Sequence, residues 1–166
     1  MSNQPENSRR ATAYHEAGHA VMAVLLGRPI EKVTVSPGQL QAGGSRLGVC
    51  KIQKGRTKPS KNGLQDDVMI LLAGMVGESL ATGRYNQAGA TQDLQMVRAL
   101  LTANRAKNDA RFQKLARRML GKTEHLLFAP AAKQALRHVA EELSERETIS
   151  GRAVRHFVEE AQNQHE

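Results

Sequence analysis

The sequence predicts a predominantly α-helical α+β domain, in which an N-terminal helix lies beside a small β-sheet or hairpin and a helical bundle follows. Three observations point there. Apolar residues make up 40% of the 166 but aromatics only 3%, with no tryptophan, so the core must be assembled from Leu, Val, Ala, Ile and Met, which suits packed helices better than an aromatic-rich sandwich. Apolar residues recur at spacings of three and four through most of the chain. Two short stretches, 30–36 and 47–53, read instead as strands bounded by Pro and Gly. The length fits one domain: we expect a disordered tail over 1–8, a single domain over 9–161 and a C-terminal tail over 162–166.

The first helix is expected over 9–26, where Ala13, Ala17, Ala20, Val21, Val24 and Leu25 form one broad apolar face. Gly27 and Pro29 stop it. In 30–36, Val33 and Val35 share one face and Thr34 takes the other; Pro37-Gly38 breaks the strand. The stretch 39–46 is Gly-rich and loop-like, 47–53 is a second strand, and 54–63 is a basic, breaker-rich loop. Helix returns over 64–80 on Val68, Leu71, Leu72, Met75 and Val76. Gly74 and Gly77 each weaken that helix by roughly 1 kcal/mol relative to Ala, which a close helix–helix approach would explain. After a loop at 81–90, Thr91 caps a helix over 92–108 with Asp93 in its first turn. Further helices are expected over 110–120, 130–143, where Pro130 suits the first turn, and 150–161. Met22, Met69, Met75, Met96 and Met119 read as core packing.

The net charge of +8 favours an anionic partner in general, yet the basic residues are dispersed, with local enrichment at 51–61, 105–118 and 152–155. Neither stacking aromatics on strands nor zinc-finger spacings accompany them, so no nucleic-acid partner is expected. Cys50 is the single cysteine, which excludes an internal disulfide and a thiolate metal cage. No secretory leader or membrane span is legible, and a cytoplasmic location follows as the expectation.

His15-Glu16-Ala17-Gly18-His19 carries the chemistry. Positions four apart share a helix face, so two imidazoles can reach one metal ion. Glu16 then projects beside the metal, where it can take a proton from a zinc-bound water and hand it to a leaving amine. One zinc ion per chain is the expected cofactor. A catalytic zinc needs a third protein ligand, and spacing leaves Glu78, Asp93, His125, His138 and His156 all open.

Residues 13–20, Ala-Tyr-His-Glu-Ala-Gly-His-Ala, resemble the zinc-site helix of the FtsH family of ATP-dependent metalloproteases. The order continues: Val33-Thr34-Val35 with Pro37 resembles the family's first strand, Leu47-Gly48 the next, Leu71 to Glu78 its glycine-containing helix, Gly89 to Leu94 the stretch that brings an Asp ligand, and Glu147 to Ser150 the turn before the last helix. The resemblance runs over 9–158 and is weakest after Arg105. It implies Asp93 as the third ligand, Glu78 as a hydrogen-bond partner of a ligand histidine, and an edge strand that holds extended substrate, placed at Leu47, Gly48, Val49 and Cys50. It also implies a polypeptide substrate. Family members carry a membrane anchor and an ATPase module and form hexameric rings. No Gly-rich Walker loop occurs in this sequence, and the region between Asp93 and the last helix is shorter than usual. The activity expected is zinc-dependent endopeptidase action on unfolded or flexible segments, with any ATPase supplied by a separate chain. Its alternatives are a dedicated regulatory peptidase with one partner protein and a non-catalytic basic module that retains zinc.

Overall fold

A computed structural model describes residues 4–36, 38–39, 45–46, 49–104 and 108–166. In chain order the elements are α1 (Gln4–Leu25), β1 (Ile30–Thr34), β2 (Gly38–Gln39), β3 (Ser45–Arg46), β4 (Val49–Ile52), α2 (Gly63–Thr82), α3 (Thr91–Asn104), α4 (Asp109–Leu127), α5 (Pro130–Arg146), β5 (Thr148–Ser150) and α6 (Gly151–Gln164). The predominantly helical α+β class is as expected.

α1 starts at Gln4, so the expected tail over 1–8 is helical from its fourth residue: Pro5 suits a first turn, Glu6 complements the N-terminal dipole, and the exposed residues beyond carry no helix breaker. At its other end Gly27 is left-handed (φ 76°). There Arg28 N–H donates to the Ala23 carbonyl and Gly27 N–H to that of Val24, a Schellman cap. α2 is capped by the Asn62 side chain, which accepts from Gln65 N–H at 3.1 Å. The expected cap at Thr91 does not form: Thr91 lies within α3 and its hydroxyl donates to the Ala88 carbonyl at 2.7 Å. α4 runs seven residues past the expected end at 120, because Gly121 sits on an open face and does not interrupt it. Ser150 caps α6 by accepting from Ala153 N–H, and α6 continues to Gln164, into the expected C-terminal tail.

The sheet has three antiparallel strands in the order β4-β1-β5. Val33 pairs with Cys50 on one side and Ile149 on the other. Val33 and Val35 are buried and Thr34 is not, as the alternation requires. β5 was not expected, and the stretch read as loop over 39–46 contains part of the short β2–β3 ladder, which pairs Gly38 with Arg46 and Gln39 with Ser45.

One core joins α1, α2, α5, α6 and the sheet, around Val21, Met22, Leu136, Val139 and Leu143. A smaller cluster of Val68, Leu72, Val97, Leu101 and Met119 joins α2, α3 and α4. Met96 is a correction: it is 48% exposed on α3, while the other four expected core methionines are buried. α1 and α2 cross at glycines. A Cβ at Gly18 would overlap the Ala73 carbonyl, and one at Gly77 would lie 2.7 Å from the Tyr14 carbonyl oxygen. The expected close helix–helix approach is present, and its backbone contact offsets the propensity cost of glycine. Among the described residues no helix is long and apolar enough to cross a membrane.

Candidate metal and catalytic site

The α1–α2 crossing fixes the site. His15 and His19, one turn apart, present their imidazoles to the same cavity, with ring centroids 4.8 Å apart and planes at 79°. α2 supplies outer partners for both rings. Glu78 Oε2 lies 3.1 Å from His15 Nδ1, and the Ile70 carbonyl lies 2.7 Å from His19 Nδ1. With an acceptor at each Nδ1, that nitrogen carries the proton and the Nε2 atoms point inward. Both Nε2 atoms meet one oxygen of Asp93 at the start of α3: Oδ2 is 3.0 Å from His15 and 3.2 Å from His19.

The loop 83–90 brings Asp93 into place. Asn86 Nδ2 donates to Glu78 Oε1 at 3.1 Å, while Asn86 Oδ1 accepts from Gly89 N–H at 3.0 Å. Tyr85 donates its hydroxyl to Glu124 on α4. Asn86 was missed by sequence reading; its only signal is an Asn three residues ahead of a Gly, the mark of a side-chain-closed turn.

The cavity holds about 360 Å³ and is lined by the two histidines, Glu16, Glu78, Asp93, and Cys50 and Ile52 of β4, among others. Glu16 is only 6% exposed. Leu47 and Gly48 of the expected edge lie outside the described residues; Val49 and Cys50 lie in β4, at the edge of the sheet. His125, His138 and His156 do not line the cavity.

The electrostatics fit a cation. Burial alone would lower the His15 pKa, but its hydrogen bonds to Asp93 and Glu78 and the charge of Glu16 outweigh burial and raise it to about 9. Burial would raise Asp93, yet hydrogen bonds from both histidines hold it well below the usual carboxylate range. Glu78 is likewise held down against its burial by His15 and Asn86. Burial, with the nearby Glu16 charge, pushes the Cys50 thiol up, so it stays protonated and is no thiolate ligand.

The donor atoms of His15, His19 and Asp93 lie within 4.8 Å of one another, and two nitrogens with one carboxylate oxygen are the donor types a catalytic zinc takes. Each histidine faces acceptors at both nitrogens, so without a metal the cluster needs protons to hold it together, and a divalent cation can replace them. Space is reserved as well: a Cβ at Gly74 would lie 2.5 Å from Nε2 of both histidines.

Residues 2–105 match the model of a family described as Peptidase family M41. The chain is similar to proteins named ATP-dependent zinc metalloprotease FtsH. In Protochlamydia amoebophila the identity is 34% over 97 residues, covering 57% of this chain and 10% of the relative. In Lachnoclostridium phytofermentans it is 40% over 99 residues, covering 58% and 17%. A protein named FtsH 2 of Sphaerobacter thermophilus is 39% identical over 101 residues, covering 59% and 15%. The aligned part thus spans less than a fifth of these curated relatives.

Proposed function

The chain belongs to peptidase family M41, and from that premise we propose that it is a zinc-dependent metalloendopeptidase that cleaves peptide bonds in unfolded or flexible protein segments. The observation that carries the proposal is the convergence of His15 Nε2, His19 Nε2 and the Asp93 carboxylate on one point of a cavity that Glu16 also lines.

In this reading His15, His19 and Asp93 hold the ion. When bound, zinc supplies Lewis acidity, which lowers the pKa of water and polarises a carbonyl. Glu78 and the Ile70 carbonyl keep both Nδ1 atoms protonated, so each imidazole offers a lone pair inward. Glu16 moves the proton: its carboxylate accepts one from the attacking water and returns it to the departing amine nitrogen, so that the proton count closes over the cycle. Burial of the cluster keeps bulk water from competing for these bonds.

β4 gives the substrate its track. It is an edge strand, and Cys50 and Ile52 line the cavity, so an extended chain paired with β4 would lie across Glu16. A recessed site in which His15, Glu16 and His19 are each under 10% exposed admits extended backbone and rejects folded surface, which is why flexible segments are the substrate class. The ATP dependence in the relatives' names belongs to those proteins; for this chain we propose that any unfolding work is done by a separate module.

The test is proteolysis of a labelled unfolded protein, with metal analysis alongside. Glu16→Gln should lower turnover by roughly 10²–10⁴-fold, the range of general acid–base catalysis, with zinc content retained. Asp93→Ala should lose both zinc and activity. Full activity in Glu16→Gln would overturn the assignment.

A further inference from the structure

A second concavity lies where the end of α1, the start of α2 and the second half of α4 meet. Its volume is about 460 Å³ and it shares no lining residue with the catalytic cavity. Leu26, Met69 and Leu126 make its apolar floor, and Arg118, Lys122 and His125 rim it. The rim continues along α4: Arg111, Lys114, Arg118, Lys122 and His125 fall at spacings of three and four, one face of the helix. Among the described residues, neither Arg118 nor Lys122 is in an ion pair, and the Lys122 ammonium donates only to the neutral Gln65 Oε1 at 2.9 Å. The neighbouring Glu124 is turned away and accepts from Tyr85. The groove therefore joins an apolar floor to two cationic groups, Arg118 and Lys122, that no carboxylate among the described residues neutralises.

We propose that this groove binds an acidic peptide segment carrying apolar side chains, whose carboxylates meet Arg118 and Lys122 while a Leu-like side chain sits against Met69 and Leu126. Charge complementarity selects the sign of the partner. The floor selects a peptide over a nucleic acid, because Leu26, Met69 and Leu126 are aliphatic and give no platform of Phe, Tyr or Trp for bases to stack on. An anionic membrane is disfavoured by shape, since a concave floor cannot insert between lipids. The site is independent of the peptidase reading. Ile70, whose carbonyl holds His19, faces the catalytic cavity, while the adjacent Met69 faces this groove.

The test is fluorescence anisotropy with a labelled peptide of Glu, Asp and Leu, on the full chain and on Glu16→Gln, so that binding is read apart from any cleavage. Both proteins should bind it equally, and affinity should fall as salt rises. Lys122→Glu should weaken it about tenfold or more. Gly121→Glu gives a control for folding: a Cβ there meets nothing within 4 Å and replacing a mid-helix glycine favours the helix, so thermal stability should hold while binding falls by about the same factor. Equal binding of a Lys/Leu peptide, tighter binding of a single-stranded oligonucleotide, or unchanged affinity in both variants would each overturn the proposal.

Discussion

Asn86 holds Glu78 by the carboxylate oxygen that His15 does not use: its Nδ2 donates to Oε1 at 3.1 Å, while Oε2 faces His15 Nδ1 at 3.1 Å. One carboxylate thereby connects the helix that carries both histidines to the loop that delivers Asp93. Glu78→Gln keeps the shape but weakens the acceptor at Nδ1, and should reduce zinc affinity by about 10–100-fold. Asn86→Ala should act in the same direction through the loop. Competition against a chromophoric chelator measures both; unchanged affinity in Glu78→Gln would remove it from the metal site's support.

Two glycines of the α1–α2 crossing should separate metal binding from stability. A Cβ at Gly74 would lie 2.5 Å from Nε2 of both histidines, side-chain ends that can swing aside, so Gly74→Ala should lose zinc and keep a thermal midpoint near that of the metal-free wild type. A Cβ at Gly18 overlaps a backbone carbonyl, which cannot move without parting the helices. Gly18→Ala should therefore cost about 1–3 kcal/mol by overpacking, despite a helix-propensity gain of about 1 kcal/mol. Denaturant titration and metal analysis of the pair check both statements.

Zinc should flatten the pH dependence of stability on the alkaline side. In the metal-free protein His15 is raised from 6.5 to about 9, so its contribution is complete below 6.5 and disappears as pH rises through about 9. Asp93 and Glu78 are lowered, so theirs is complete above the ordinary carboxylate range and is lost as pH falls through it. Metal-free protein should thus be most stable between about 4.5 and 6.5. Zinc must displace the His15 proton, so its affinity should rise up to about tenfold per pH unit over the same alkaline range. From pH 6.5 to 9 the thermal midpoint in chelator should fall, while in saturating zinc it should stay nearly level, because the gain in zinc affinity cancels the loss of the His15 contribution.

Core and surface positions should part clearly. Leu136 is fully buried, and Leu136→Ala should cost about 2–5 kcal/mol. Met96 is 48% exposed, and Met96→Ala should change stability by no more than about 0.5 kcal/mol. Chemical denaturation of both variants checks these values, and the Met96 result decides which face of α3 is exposed.

The parts of the fold and site that sequence reading found are those written in local periodicity. The His15–His19 spacing set both imidazoles on one face, and the two glycines of α2 announced the close crossing before any partner helix was known. Asp93 could not be chosen by spacing, because its approach depends on how a loop folds 78 residues from His15; the family resemblance supplied it. β5 escaped because three residues carry too little alternation to register, and their partner Val33 is more than a hundred residues away. α4 was expected only to 120, just before Gly121, yet a glycine on an open helix face costs only about 1 kcal/mol relative to Ala and the helix runs on. Asn86 was invisible because an Asn in a turn-rich loop has an ordinary turn-forming reason to be there.

The position of Asp93 has a mechanical consequence. It lies in the first turn of α3, which packs in the smaller cluster through Val97 and Leu101 rather than in the main core, while His15 and His19 belong to the helix at the centre of that core. An ion shared by the three would act as a reversible cross-link, closing a loop of 78 residues and removing chain entropy that the small cluster alone must otherwise restrain. Metal loss would then loosen the protein unevenly: amide hydrogens of α3 and of the loop 83–90 would exchange first, while those of α1 and α2 kept the protection of the main core.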